Sequence, residues 1–137
     1  IAEATLMGVD SRSEALTSGE EAIMDVIVEG HANLDDLTLG ILIRDRFGQD
    51  VFGTNTHFHQ LDLAIKPDQR YCLRFTFPMH LRPGKYTVTL ALHGGSNHTN
   101  DCYHWWDGAC HFNVSGWRGP RFTGVCDLQP TITKIPL

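Results

Sequence analysis

Residues 85–93 read Lys-Tyr-Thr-Val-Thr-Leu-Ala-Leu-His, with Tyr86, Val88, Leu90 and Leu92 at every second position. That spacing puts the four on one side of an extended strand and Thr87, Thr89 and His93 on the other; on a helix they would scatter around the axis. The same period of two recurs along the chain. In residues 21–30, Ala22, Met24, Val26 and Val28 form a wholly apolar face. In 38–47, Leu39, Ile41 and Ile43 oppose Thr38, Leu42, Arg44 and Arg46. In 69–80, Tyr71, Leu73, Phe75 and Phe77 oppose Arg74 and Thr76, and in 109–114, Cys110, Phe112 and Val114 oppose His111 and Asn113. Residues 2–9 and 121–128 read as a first and a last strand. Asn33-Leu-Asp-Asp36, Leu81-Arg-Pro-Gly84 and Gly116-Trp-Arg-Gly-Pro120 carry turn chemistry between them. No stretch keeps a helical period for more than a turn or two. Seven to eight short strands so spaced predict an antiparallel β-sandwich spanning residues 1–137 as one domain.

Within that frame, Phe52-Gly-Thr-Asn-Thr56 reads as a strand end turning into a polar loop, since glycine allows a bend and the three polar residues can bond nearby main chain. Residues 57–68 follow as an irregular polar segment. Residues 94–108 read as a long loop carrying Tyr103, His104, Trp105, Trp106 and Asp107, and loops of that length in compact domains tend to be functional.

With 42% hydrophobic residues in 137, the chain can close one core but not two. A formal charge of -5 argues against nucleic acid or an anionic membrane surface as partner and favours a neutral ligand. No apolar run reaches the roughly 20 residues of a membrane helix. The start at Ile1 reads as that of an excised fragment. Cys72, Cys102, Cys110 and Cys126 are even in number, and Asn97 and Asn113 stand in acceptor patterns for glycosylation. Yet four cysteines, three of them within strand-like runs, fit reduced thiols in cytoplasm better than a disulfide framework.

The sequence holds no phosphate loop, nucleophile elbow or Cys-x2-Cys pair, so no cofactor is expected. His57-Phe-His59 would put two imidazoles on one side of a strand and could hold a metal, with Asp62, His93, His98, His104 and His111 as scattered further donors; exposed loop histidines are the simpler expectation. Asp35 with Asp36, Asp45, or Asp101 with Asp107 could supply paired acids for glycoside hydrolysis, although such residues more often cap turns and end strands. Tyr103-His-Trp-Trp-Asp107 fits sugar recognition: aromatic rings stack on apolar C–H faces while polar neighbours bond hydroxyls, with no catalyst required. One of Trp105 and Trp106 should instead point into the sandwich.

Gly40-Ile-Leu-Ile-Arg-Asp-Arg-Phe-Gly-Gln-Asp-Val-Phe-Gly-Thr-Asn-Thr56, Leu81-Arg-Pro-Gly-Lys-Tyr86 and Asp107-Gly-Ala-Cys-His-Phe-Asn-Val114 together resemble the C-terminal domain of Wzt, the nucleotide-binding subunit of ABC exporters for O-antigen polysaccharide. The resemblance implies an immunoglobulin-like sandwich, a C-terminal piece of a longer ATPase subunit, that lies in the cytoplasm, reaches the membrane through the exporter's transmembrane subunit and binds O-antigen polysaccharide without cleaving it. A metal- or carboxylate-dependent carbohydrate enzyme and a purely structural dimerisation domain are the alternatives. Such a sandwich sets the strands of residues 38–47, 85–93 and 109–114 side by side. Pleat parity then gives the expected glycan site: Arg44, Thr87, Thr89, His93 and His111 on the sheet, with Tyr103, Trp105 and Trp106 as a stacking wall from the loop. A homodimer is expected, formed by exchange of the last strand, residues 121–128, beyond the Gly116–Pro120 hinge.

Overall fold

The computed structural model describes residues 1–94 and 102–137, and among them the regular structure is entirely strand. The strands are β1 (Glu3–Gly8), β2 (Ala15–Ser18), β3 (Glu21–Glu29), β4 (Leu37–Asp45), β5 (Asp50–Asn55), β6 (Arg70–Pro78), β7 (Gly84–Gly94) and β8 (Cys102–Trp117). They form two sheets, one ordered β1-β3-β6 and the other β2-β8-β7-β4-β5. The alternating rows face each other across the sandwich: Met24, Val26 and Val28 of β3 are fully buried, as are Leu39 of β4, Val88 and Leu90 of β7, and Phe112 of β8 to within a few per cent. Tyr86 stacks on Phe112 with ring centroids 5.2 Å apart. The expected adjacency of β4, β7 and β8 is present, with all inner rows where alternation put them.

Four elements differ from expectation. First, β2 pairs parallel with β8, so the chain crosses from one sheet to the other between β1 and β2 and the sandwich is not purely antiparallel. Second, the Phe52 corner is a complete edge strand, β5, paired antiparallel with β4. Third, residues 102–108 are not loop. They belong to a sixteen-residue β8 that pairs with β7 nearly to its end; Gly94 ends β7, and residues 95–101 of the expected loop, including Asn97, His98 and Asp101, lie outside the described residues. Fourth, residues 121–128 are not a strand. Gly119 (φ 94°) and Gly124 (φ 102°) turn the backbone left-handed, and one bridge, Leu81 to Cys126, ties the segment to its own domain together with the bonds Arg82 N to Val125 O (3.1 Å) and Asp127 N to His80 O (2.8 Å). Trp117 packs edge-on against Phe122 at 5.1 Å.

Two local devices shape the sheets. The Glu20 carboxylate, 1% exposed, accepts the amides of Asp10 (3.0 Å), Ser11 (2.6 Å) and Thr17 (2.9 Å), so it holds together the segment that crosses between the sheets. On the long hairpin, Val88 pairs with Cys110 but Leu90 pairs with Trp106, so β8 carries residues 107–109 where β7 has Thr89 alone. Gly108, at φ 62°, takes the left-handed conformation this bulge requires.

Candidate functional site

The outer face of the five-stranded sheet can be read row by row from the pairing. One row runs Asp50, Arg44, Thr87 and His111; the next Gly53, Leu42 and Thr89; the next Asn55, Gly40, Ala91 and Trp105. Gly40 and Ala91 contribute almost no side chain, leaving a low floor between Asn55 on one side and the half-exposed Trp105 ring (52%) on the other. A Cβ added to Gly40 would meet nothing closer than 3.7 Å, and the residue's φ is not left-handed. Neither packing nor backbone therefore demands glycine there, and its effect is to keep the floor open.

The first and second rows are joined through Asp107, which the β8 bulge aims over Thr89. The Thr89 hydroxyl donates to Asp107 Oδ1 at 3.0 Å, and Arg44 Nη1 lies 3.7 Å from the same oxygen. Arg44 Nε meets Asp50 Oδ1 at 3.0 Å. The arginine side chain is one-third exposed and held by carboxylates on both sides, so its remaining N–H groups are oriented in advance. A stacking ring, a shallow floor and fixed donors and acceptors on one sheet face can hold a neutral polyol; no hydride, phosphoryl or metal chemistry follows from them.

Arg44, Thr87, Trp105 and His111 thus share this face, as parity required, and Thr89 has the same parity but is 4% exposed, so it serves by holding Asp107 rather than as open surface. The other three expected residues do not. His93 has the right parity but is 4% exposed, beneath the surface beside Thr38. Trp106 sits opposite Leu90, on the core side, its ring parallel to His104 at 6.0 Å. Tyr103 lines a separate cleft of about 330 Å³ at the end of the sandwich, with His31, Leu34 and Ile65. Of the two tryptophans, then, Trp106 is the inward one. Asn55 and the Gly40 floor have no signal in the sequence. Asp107 belongs both to the possible acid pair and to the Tyr103–Asp107 sugar-recognition run, but the bulge that aims it over Thr89 has no signature except Gly108.

Other candidates disperse. His57 and His59 lie exposed on a turn rather than a strand, lining different clefts, and no cluster of His, Cys, Asp or Glu among the described residues could hold a metal. On the opposite sheet, Arg74 forks onto Asp25 at 2.8 and 2.9 Å, and this bond, followed by their charge attraction, holds the Asp25 carboxyl below its ordinary value against the opposing effect of burial. All four cysteines lack a disulfide partner; burial, and then Glu14, pushes the Cys110 thiol up to about 11. A cleft of about 530 Å³ opens sideways between the edge strands β5 and β6 and is lined by Phe52, Leu73, Phe75 and Phe77.

Among solved structures, the C-terminal domain of Wzt superposes with a TM-score of 0.86 at 19% identity, over 98% of this chain and 83% of that one. A β-glucuronidase from glycoside hydrolase family 2 superposes at 0.51 and 15% identity, over 77% of this chain but 10% of the enzyme, a likeness of fold alone. No curated protein sequence matches. The sequence profile of the Wzt C-terminal domain covers residues 1–128 and agrees with the sandwich described above; the chain belongs to the Wzt C-terminal domain family.

Proposed function

We propose that this domain binds O-antigen polysaccharide without cleaving it and is the substrate-recognition module of an ABC exporter. The observation that carries the reading is the trough on the five-stranded sheet, where Trp105 stands over the Gly40 and Ala91 floor beside the Arg44, Asp107 and Asp50 array. A pyranose offers one apolar face to a ring and hydroxyls to the polar groups around it. Asp50 and Asp107 are both engaged by one guanidinium, an arrangement suited to accepting hydroxyl bonds rather than protonating a leaving oxygen, which speaks against hydrolysis by this pair. In this reading the domain works in the cytoplasm and meets the membrane through the exporter's transmembrane subunit. Calorimetric titration with O-antigen polysaccharide tests it. Trp105→Ala should weaken binding by about 1–3 kcal/mol, the scale of a buried aromatic contact, with the fold intact. Full affinity in folded Trp105→Ala and Arg44→Ala variants would move the site elsewhere.

A homodimer is the accompanying reading, favoured by a specific observation. The 530 Å³ cleft has on each side a strand edge, β5 and β6, without a partner strand among the described residues, while the extended tail beyond residue 128 exposes Ile132 (92%), Ile135 (73%) and Leu137. A tail from a second copy can add to such an edge and bury those side chains against Phe75 and Phe77. The exchanged piece is then the tail, because residues 121–128 are pinned to their own domain. Light scattering should give twice the monomer mass, falling to monomer when residues 130–137 are removed; an unchanged mass on truncation would exclude exchange.

A further inference from the structure

At the end of the sandwich nearest Arg44, two turns enclose a pocket of about 390 Å³ lined by Asp45, Arg46, Phe47, Arg82, Lys85 and Tyr86, among others. Three cations and one carboxylate meet there, a local excess of positive charge on a chain whose formal net charge is -5. Arg44, Arg70, Arg74 and Arg118 each pair with a carboxylate, whereas Arg46, Arg82 and Lys85 make no ion pair among the described residues. Arg46 instead lies over the Phe47 ring, 4.7 Å from its centroid.

Both turns are held rigidly. Asp45 Oδ1 accepts the amides of Phe47 (2.9 Å) and Gln49 (3.0 Å), which fixes the β4–β5 turn that carries Arg46. Arg82 donates its amide to Val125 O at 3.1 Å and accepts the Tyr86 hydroxyl at 2.5 Å, which fixes the β6–β7 turn. The second oxygen of Asp45, a residue 8% exposed, is buried and has no hydrogen-bond partner among the described residues. Arg46, Lys85 and Tyr86 also line a groove of about 240 Å³ with Glu14, Thr87 and His111, and Thr87 stands opposite Arg44, so the groove leads toward the trough.

We propose that this pocket is an anion subsite of the glycan face, taking a carboxylate or phosphate substituent of the polysaccharide on Arg46, Arg82 and Lys85. The inference rests on the glycan reading and adds a substrate class, an acidic or phosphorylated polymer. Continuity with the trough is what favours a glycan over a lipid headgroup.

The test is an amide-resolved NMR titration of the 137-residue chain with tetragalacturonate, its neutral counterpart maltotetraose, mannose 6-phosphate and inorganic phosphate. Tetragalacturonate should shift the amides of Arg46, Arg82 and Lys85 and the Trp105 indole together, whereas mannose 6-phosphate, too short for the roughly 20 Å between Lys85 and Trp105, should shift the pocket amides alone; the tighter of the two on those amides identifies the anionic group, and both affinities fall as salt rises. Arg82→Gln with Lys85→Gln should lower those affinities about tenfold or more while leaving any maltotetraose response of the indole unchanged. Equal indole responses to charged and neutral oligosaccharides, with the pocket amides silent, would overturn the subsite and leave the glycan reading standing. A pocket that takes phosphate while no oligosaccharide moves the indole would sink the glycan reading, and the assignment to a glycan with it. Co-sedimentation with phosphatidylglycerol vesicles, lost in the double variant and without any tetragalacturonate response, would give the pocket to a membrane surface and refute the proposal.

Discussion

Replacing Glu20 should be the most damaging single change outside the apolar core. Its carboxylate accepts three main-chain N–H groups from two segments, Asp10 and Ser11 on one oxygen and Thr17 on the other, at 2.6 to 3.0 Å. A hydrogen bond to a charged acceptor contributes about 1.5–3 kcal/mol, but the three are not additive, and the exposed amides of residues 10 and 11 can turn to water when the acceptor is gone. Glu20→Ala should therefore cost about 2–4 kcal/mol, which at about 4 °C per kcal/mol for a chain of this size lowers Tm by about 8–16 °C. Glu20→Gln should cost less, since its carbonyl can still serve one segment while its amide faces an N–H group. Burial pushes the Glu20 carboxyl up, yet the bonds from Ser11, Thr17 and Asp10 outweigh it and hold the group below its ordinary value. The folded value thus lies below the unfolded one, so this stabilisation is complete above the unfolded carboxylate range and is lost as pH falls through the folded value. Urea unfolding followed by tryptophan fluorescence from pH 7 down to 3 measures both effects, with the acid slope shallower in Glu20→Gln. If Glu20→Ala unfolds within about 0.5 kcal/mol of the parent with the same acid slope, the carboxylate is not what holds the crossover.

Filling the trough floor should separate binding from stability: Gly40→Leu should keep Tm within a few degrees yet lower glycan affinity at least about tenfold, as read by calorimetry. Gly30→Ala should do the reverse of a neutral change, because the added Cβ falls 1.9 Å from Lys66 O; a loss of about 2 kcal/mol or more in urea is expected, and a neutral result would contradict the close approach of the two segments. Alkylation without reductant should modify Cys102 and Cys126 first and Cys72 more slowly, since burial and then Asp25 push its thiol up; Cys110 should react only on unfolding, and mass spectrometry of timed samples gives the order.

Alternation was enough to find β3, β4, β6 and β7 to within one or two residues, because each buries one face and pleat parity leaves no choice of which. The same arithmetic placed Arg44, Thr87 and His111 in one row. It failed where pairing rather than composition makes the strand. Tyr103 to Gly108 has aromatic or polar residues on both faces, and only its register against β7 makes it extended; without the bulge, nothing decides between Trp105 and Trp106. The four residues of β2 are too few to show a period, and residues 121–128 look strand-like until Gly124 turns the chain. His93 alternates correctly yet is buried, because parity gives a side and not a depth.

The bulge on β8 has a consequence for how this face can vary between relatives. It inserts two residues beyond the one that β7 supplies, and two is a whole pleat period, so Trp105 above the bulge and His111 below it still point the same way. An insertion or deletion of two residues near Gly108 would lengthen or shorten the protrusion that carries Asp107 and leave every ring and hydroxyl on its own side. A change of one residue would turn Trp106 outward and drive Trp105 into the core. Length variation at this hairpin should therefore come in even steps, which lets the reach of one carboxylate over the trough be retuned without rebuilding the sheet beneath it.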